Sequence, residues 1–187
     1  MIDIQDRETA VSNLIPTGLS ADMQPIAAEV DRIHESALWS AQGQFEQMKL
    51  WRAMNMVLGV PASVLAAIAG GTGLAADGKT SLPGVVALVA AGFGAALTAL
   101  NPSRRVSSAQ AAANAYLGIQ TTARQLLTIR LLTATQEEAL DELATLTARR
   151  DDVTATADPP STYAYWRSRR NIEKTGGQSY ETDKVEG

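Results

Sequence analysis

The chain has 187 residues, 45% hydrophobic and 19% charged, with a net charge of −4, which suffices for one architectural unit and is short for two. The absence of cysteine and the single histidine, His34, exclude disulfide scaffolds, thiol nucleophiles, Cys-ligated zinc or iron–sulfur clusters and any multi-histidine metal site. The whole net charge arises in residues 1–52, and the remainder sums to zero. No polycationic face is offered to nucleic acid, and no nucleic-acid partner is expected.

The average composition conceals an uneven distribution. Twelve charged residues fall in residues 1–52 and 22 in residues 104–187, while the 51 residues between hold only Asp77 and Lys79. Residues 1–19 are expected to be a flexible N-terminus. From near Ser20 or Asp22, Ile26, Val30, Ile33, Ala37, Ala41, Phe45 and Met48 recur at spacings of three and four, the mark of an amphipathic helix. Its other face carries Glu29, Asp31, Arg32, Glu35 and Glu46; an interfacial helix would favour Lys and Arg there, so a cytosolic or subunit-facing position is expected. His34, without companions, reads as solvated or partner-facing.

Two uncharged stretches of 24 residues follow, 53–76 and 80–103, separated by Asp77, Gly78 and Lys79. As helices each is about 36 Å long, more than the roughly 30 Å hydrocarbon core of a bilayer. Nine strongly apolar side chains in the first favour insertion by roughly 3–5 kcal/mol, offset in part by Asn55, Pro61 and the glycines. A soluble bundle would need to wrap two helices apolar all round, and the rest of the chain has too few apolar residues to do so. The expected spans are therefore about 53–76 and 80–101. The first 52 residues carry charge throughout and no apolar run near the start, so the hairpin is expected to act as its own targeting signal. Lys49 and Arg52 precede the first span and Arg104 and Arg105 follow the second, which places both termini in the cytoplasm of a multi-pass protein of the plasma or inner membrane. Trp51 takes the place of an interfacial aromatic.

Small residues recur every four positions within the spans: Gly59, Ser63, Ala67 and Gly71 in the first, Ala87, Ala91, Ala95 and Ala99 in the second. Such stripes permit close backbone approach in lipid and mark helix-packing or pore-lining faces. A fold at Gly78 brings position i near position 156 minus i, which pairs Asn55 with Asn101; both amides read as caps or helix glue ahead of any pore role. Pro61 is expected to kink the first span, whereas Pro83 lies in a first turn and costs little.

Pro102 interrupts the helix. From about Ser103 a further helix carries Ala109, Ala113, Tyr116, Ala123 and Leu127 on one stripe and ends near Leu132. The two cytoplasmic stripes are expected to pack on each other, within one subunit or between subunits. Thr135 and Glu138 have capping-box spacing, opening a short helix to about Arg150 marked by Leu140, Leu143 and Leu146. After Asp158, Pro159 and Pro160, residues 161–174 combine Tyr163 and Trp166 with four cations, suited to phosphate, to an anionic lipid surface or to docking on the acidic N-terminal helix, the last two ranked first. Residues 175–187 read as a disordered tail. The sequence thus predicts an all-α protein: an integral membrane two-helix hairpin flanked by cytoplasmic amphipathic helices, with residues 20–174 as a single two-transmembrane helical domain.

Catalytic signatures do not emerge. The glycines at 70, 71 and 73 lie in an apolar span rather than a phosphate loop. Adjacent acidic pairs such as Glu137 and Glu138, or Asp151 and Asp152, point in different directions on a helix. No enzyme activity and no cofactor are expected.

The succession of amphipathic helix, two close-spaced spans, Arg-rich exit and Ala-rich helix with a central Tyr, carried by NPSRRVSSAQAAANAYLGIQTTARQL over residues 101–126, resembles the SLATT family, two-transmembrane effector domains of nucleotide-second-messenger conflict systems. The likeness covers roughly residues 20–170. It implies an oligomeric, pore-forming effector in antiviral defence that disrupts the membrane when a partner nucleotidyltransferase signals infection. The chain departs from the family in carrying no attached nucleotide-synthesising or sensing domain. The implied partners are the lipid bilayer, further copies of the chain and a nucleotide-second-messenger synthase or sensor; the alternative is a passive two-span membrane adaptor whose helices recruit a cytosolic partner.

Overall fold

A computed structural model describes residues 14–75 and 81–159, together with Ser161, Thr162, Ala164, Trp166, Arg167 and Arg170. The loop of Asp77, Gly78 and Lys79, most of the proposed flexible N-terminus, Tyr163 and the tail from residue 175 lie outside the described residues. All regular structure among the described residues is helical: α1 (Gln24–Ala75), α2 (Leu82–Leu100), α3 (Pro102–Thr128), a 3₁₀ turn (Arg130–Leu132) and α4 (Gln136–Thr156). Two compact units result, one from residues up to Glu46 together with those from Ala111 onward, the other from Gln47–Gln110.

In the first unit the predicted stripes become a core. Ile26, Val30, Ile33, Ala37 and Ala41 of α1 are buried with Tyr116, Ile119, Ala123, Leu126 and Leu127 of α3. The two amphipathic faces therefore meet within one chain. Tyr116 lays its ring into this core, and its hydroxyl lies 3.1 Å from Thr154 Oγ1 on α4, so the phenol is satisfied without leaving the apolar layer. Leu14, Ile15 and Leu19 pack against the same core, which revises the flexible N-terminus: its last residues are held. The chain enters this turn through Gly18 at φ +98°, a conformation that side chains with a Cβ rarely adopt.

Two boundaries shift: α3 ends at Thr128 rather than near Leu132, the chain passing into a 3₁₀ turn at Arg130–Leu132, and α4 lengthens. Helix α4 runs to Thr156 rather than stopping near Arg150, and of its three leucines only Leu146 is fully buried, with Leu140 49% exposed and Ala139 taking the inward position. The α4 N-terminus is a complete capping box. Glu138 N–H donates to Thr135 Oγ1, and the Thr135 N–H donates to Glu138 Oε2 at 2.8 Å. Donation from the Thr135 backbone and then from its hydroxyl holds the Glu138 carboxyl below its ordinary value. A carboxylate so depressed stabilises the fold above its unfolded pKa and loses that contribution as pH falls through the folded value. Protection of the first-turn amides of α4 against exchange, relative to their intrinsic rates, should fall on acidification through the carboxylate range, and Glu138→Gln should flatten that pH dependence. Thr135→Ala should lower the stability of the bundle by about 1 kcal/mol in a denaturant melt.

Candidate functional site

The second unit is a helical hairpin built from residues 47–75 of α1, α2 and the start of α3. Helix α1 continues through Pro61 without a break. Helix α2 ends where Asn101 takes the left-handed conformation, φ 43° and ψ 55°, with its backbone N–H donating to the Leu97 carbonyl; Pro102 then opens α3, a position where its missing N–H costs nothing. Asn101 Oδ1 accepts from the Arg104 N–H at 3.4 Å, a capping role for this amide.

The register follows the predicted sum of 156. A Cβ at Gly59 would stand 3.8 Å from Leu97 Cδ1. Ala66, Ala69 and Gly70 share an apolar groove of about 500 Å³ with Ala87, Ala90 and Ala91. The Arg105 guanidinium lies over the Trp51 ring at 4.7 Å from its centroid. Within the hairpin the covered positions include Met54, Leu58, Gly59, Ala62, Leu65 and Ala69 on α1 and Val86, Ala90, Phe93 and Leu97 on α2, at helical spacings.

The small-residue stripes mostly face elsewhere. Gly59 is partly covered at the hairpin's own seam, and Ala87 and Ala91 border the groove between its helices; Ser63, Ala67 and Gly71 are exposed, as are Ala87, Ala91, Ala95 and Ala99. A Cβ built at Gly71 meets nothing within 4 Å. The large apolar side chains share this exposure: Val57 67%, Leu82 69% and Leu88 74%, with Met56, Val60, Val64, Ile68, Val85 and Val89 about half exposed. The hydroxyls of Ser63, Thr72 and Thr98 are internally satisfied. Ser63 donates to the Gly59 carbonyl at 2.9 Å, Thr72 to Ile68 at 2.7 Å and Thr98 to Gly94 at 3.0 Å, each closing onto its own helix backbone.

At the open end of the hairpin stand the cations of the predicted cytoplasmic flank. Lys49, Arg52, Arg104 and Arg105 are exposed and Trp51 is half buried. Arg105 also donates through Nε to the Leu100 carbonyl at 3.2 Å.

In the first unit, α1 reaches its end as a stretch buried nearly all round, and here the sequence reading of Glu46 is corrected. Expected on a cytosolic or subunit-facing surface, Glu46 is instead 4% exposed within its own chain, and its Oε2 lies 2.9 Å from Arg167 Nε. The contact is a close ion pair rather than an aligned hydrogen bond. Beside it Gln44 Nε2 donates to the Asp158 carbonyl at 2.7 Å, while Gln44 Oε1 is buried without a hydrogen-bond partner among the described residues. Gln42 and Gln120 are also buried. Arg167 of the basic C-terminal segment thus pairs with α1, one of the predicted destinations of that segment. Trp166 remains 56% exposed, with Arg170 at 5.5 Å from its ring centroid.

Removing one cation partner from a buried carboxylate costs more than the pair itself contributes. Because Arg167 is 55% exposed, the full penalty is screened, and Arg167→Ala should destabilise the bundle by about 1–3 kcal/mol. Adding Glu46→Gln should recover most of that loss, as read by a double-mutant cycle in denaturant.

Among the described residues no group of three or more His, Cys, Asp or Glu side chains is placed to hold a metal ion. No protein-family model, curated protein or solved structure matches the chain.

Proposed function

We propose that this protein is a two-span membrane protein with both termini and its flanking helices in the cytoplasm of the plasma or inner membrane. Copies of it assemble through the hairpin and open a pore, as the SLATT effectors it resembles are taken to do. The observation that carries the membrane placement is the uncovered apolar surface of the hairpin. Both long helices are apolar enough to cross a bilayer, yet only 6% of the most apolar stretch of each is buried. A core helix of a soluble protein would be mostly covered, since exposed apolar surface on this scale is rare unless a membrane or partner takes it. Satisfaction of Ser63, Thr72 and Thr98 by their own helices supports the same reading, because a hydroxyl facing lipid tails has no water to bond.

Assembly is supported by the direction of the small residues. One hairpin cannot enclose a channel, and Ser63, Ala67 and Gly71 with Ala87, Ala91, Ala95 and Ala99 remain exposed and allow close approach of another copy. A lining of Ala, Gly, Ser and Thr lacks rings of charge or ordered carbonyls, so weak ion selectivity is expected. The trigger is proposed to be a nucleotide-second-messenger system, on the resemblance alone.

Topology provides the first test. The chain should resist alkaline carbonate extraction, and a cysteine at Gly78, in a protein without native cysteine, should react with an impermeant maleimide in intact cells while cysteines near either terminus react only after lysis. Release by carbonate, or labelling only after lysis at Gly78, would remove the proposal. Depolarisation in a voltage-dye assay with the activating partner present separates pore from adaptor. An unchanged potential leaves the adaptor.

A further inference from the structure

We infer that Arg52, Arg104 and Arg105, arranged around Trp51, form a binding site for the phosphate of an anionic phospholipid headgroup. The inference rests on the membrane reading above and adds a lipid class to it. Between Gln47 and Gln110 the only acidic residue is Asp77, in the loop between the two uncharged segments, so the arginines have no carboxylate of their own unit beside them in sequence. Concentrated like charge of this kind is stabilised by an anion brought from outside.

Arg105 is the organised member. Its flat face is held on the Trp51 ring, 4.7 Å from the centroid, and its Nε donates to the Leu100 carbonyl at 3.2 Å. That leaves the two terminal nitrogens, the pair that binds a phosphate in a fork. A side chain already immobilised loses less entropy when it takes a ligand. The hairpin register of 156 places Arg52 opposite Arg104 as it places Trp51 opposite Arg105, so three guanidinium groups share one end of the hairpin. Asn101, accepting from the Arg104 N–H, fixes the turn from which Arg104 and Arg105 both project.

A lipid, rather than a dissolved anion, matches the surroundings. One to three turns from Trp51 the surface becomes apolar and exposed, with Met56 at 61%, Val57 at 67% and Val60 at 56%. A phospholipid presents phosphate and acyl chain together, in the order that the arginines and these side chains present themselves; a free phosphate uses only the first. Trp51 bridges the two zones, as amphipathic rings do at headgroup depth.

The test uses the full chain in detergent with Trp51 as its sole tryptophan, through Trp39→Phe and Trp166→Phe. Dioleoyl phosphatidylglycerol should change Trp51 emission saturably, with an affinity about tenfold or more above that of dioleoyl phosphatidylcholine. Arg104→Ala with Arg105→Ala should abolish the preference, while Arg105→Lys, which keeps charge but loses the stacked fork, should retain only part of it. Equal response to the two lipids, or an unchanged preference in the double variant, overturns the inference. Saturation by inorganic phosphate as complete as by phosphatidylglycerol overturns the lipid assignment in favour of a soluble anion. Carbonate extraction of the same proteins reads the membrane proposal separately: protein that stays in the membrane yet shows no lipid preference fails only the inference, whereas released wild-type protein fails both.

Discussion

Ile33→Asp is expected to unfold the helical bundle rather than to change how copies associate. Ile33 is 0% exposed and shares its cluster with Val30 and Ala37 of α1 and with Ile119, Ala123 and Leu126 of α3. Deleting a buried Ile side chain alone costs about 2–5 kcal/mol. A carboxylate left there without a cation adds a desolvation penalty of several kcal/mol. The sum reaches the whole stability of an ordinary domain, about 5–15 kcal/mol. Circular dichroism of the purified variant in detergent should show lost helix and no cooperative bundle transition, with Ile33→Ala melting at an intermediate temperature. Phe45→Asp, at a half-buried position, should be milder. A cooperative melt close to wild type for Ile33→Asp, joined to a changed oligomer size, would mean that the stripe meets another copy and that the packing of α1 on α3 within one chain is wrong.

Gly71→Leu should abolish depolarisation and toxicity while insertion and the hairpin itself persist. A Cβ at Gly71 has open space around it, so the larger side chain is accommodated in the single chain and makes the span more hydrophobic. Between copies the same side chain holds backbones apart and forfeits the close dispersion contacts on which association in lipid depends. Gly59 provides the contrast. A Cβ there already stands 3.8 Å from Leu97 Cδ1, so Gly59→Leu forces the hairpin's own helices apart and should lower its thermal stability as well as its activity. Carbonate extraction, detergent-phase melting and a voltage-dye assay on the two variants separate these outcomes. Gly71→Leu that depolarises like wild type removes the exposed stripe from assembly, and the pore proposal then needs a different contact.

How far the sequence reached can be followed at particular residues. The two charge-free stretches between Arg52 and Arg104, parted only by Asp77, Gly78 and Lys79, were enough to mark two long apolar helices, because a single charge in such a stretch is costly and its absence over 24 residues is informative. The hairpin register followed from the position of the intervening loop, since two helices of equal rise folded at Gly78 can meet only near one sum; Gly59 with Leu97 and Trp51 with Arg105 keep it. The stripes of Ile26 to Ala41 and of Ala109 to Leu127 were legible because a helix with a polar face has one direction to bury. Thr135 and Glu138 were legible because a capping box is local chemistry.

Tertiary structure alone decided the rest. A helix apolar all round carries no signal of which side meets its partner, so the outward direction of Ser63, Ala67 and Gly71 had no counterpart in periodicity. Glu46 read as cytosolic or subunit-facing because a charge on a helix usually is, and the side chain that pairs with it is Arg167, a distance along the chain over which no local pattern extends. Leu140 carried the apolar signature but lost the inward position to Ala139, since close packing selects the side chain that fits the space rather than the most hydrophobic one. The sequence by itself determined which segments are helical, which are apolar and in what register the hairpin folds, because those depend on spacing and local chemistry. Which faces are covered, and by which distant segment, was decided only in three dimensions, where packing and the desolvation of buried charge choose among partners that the sequence leaves equivalent.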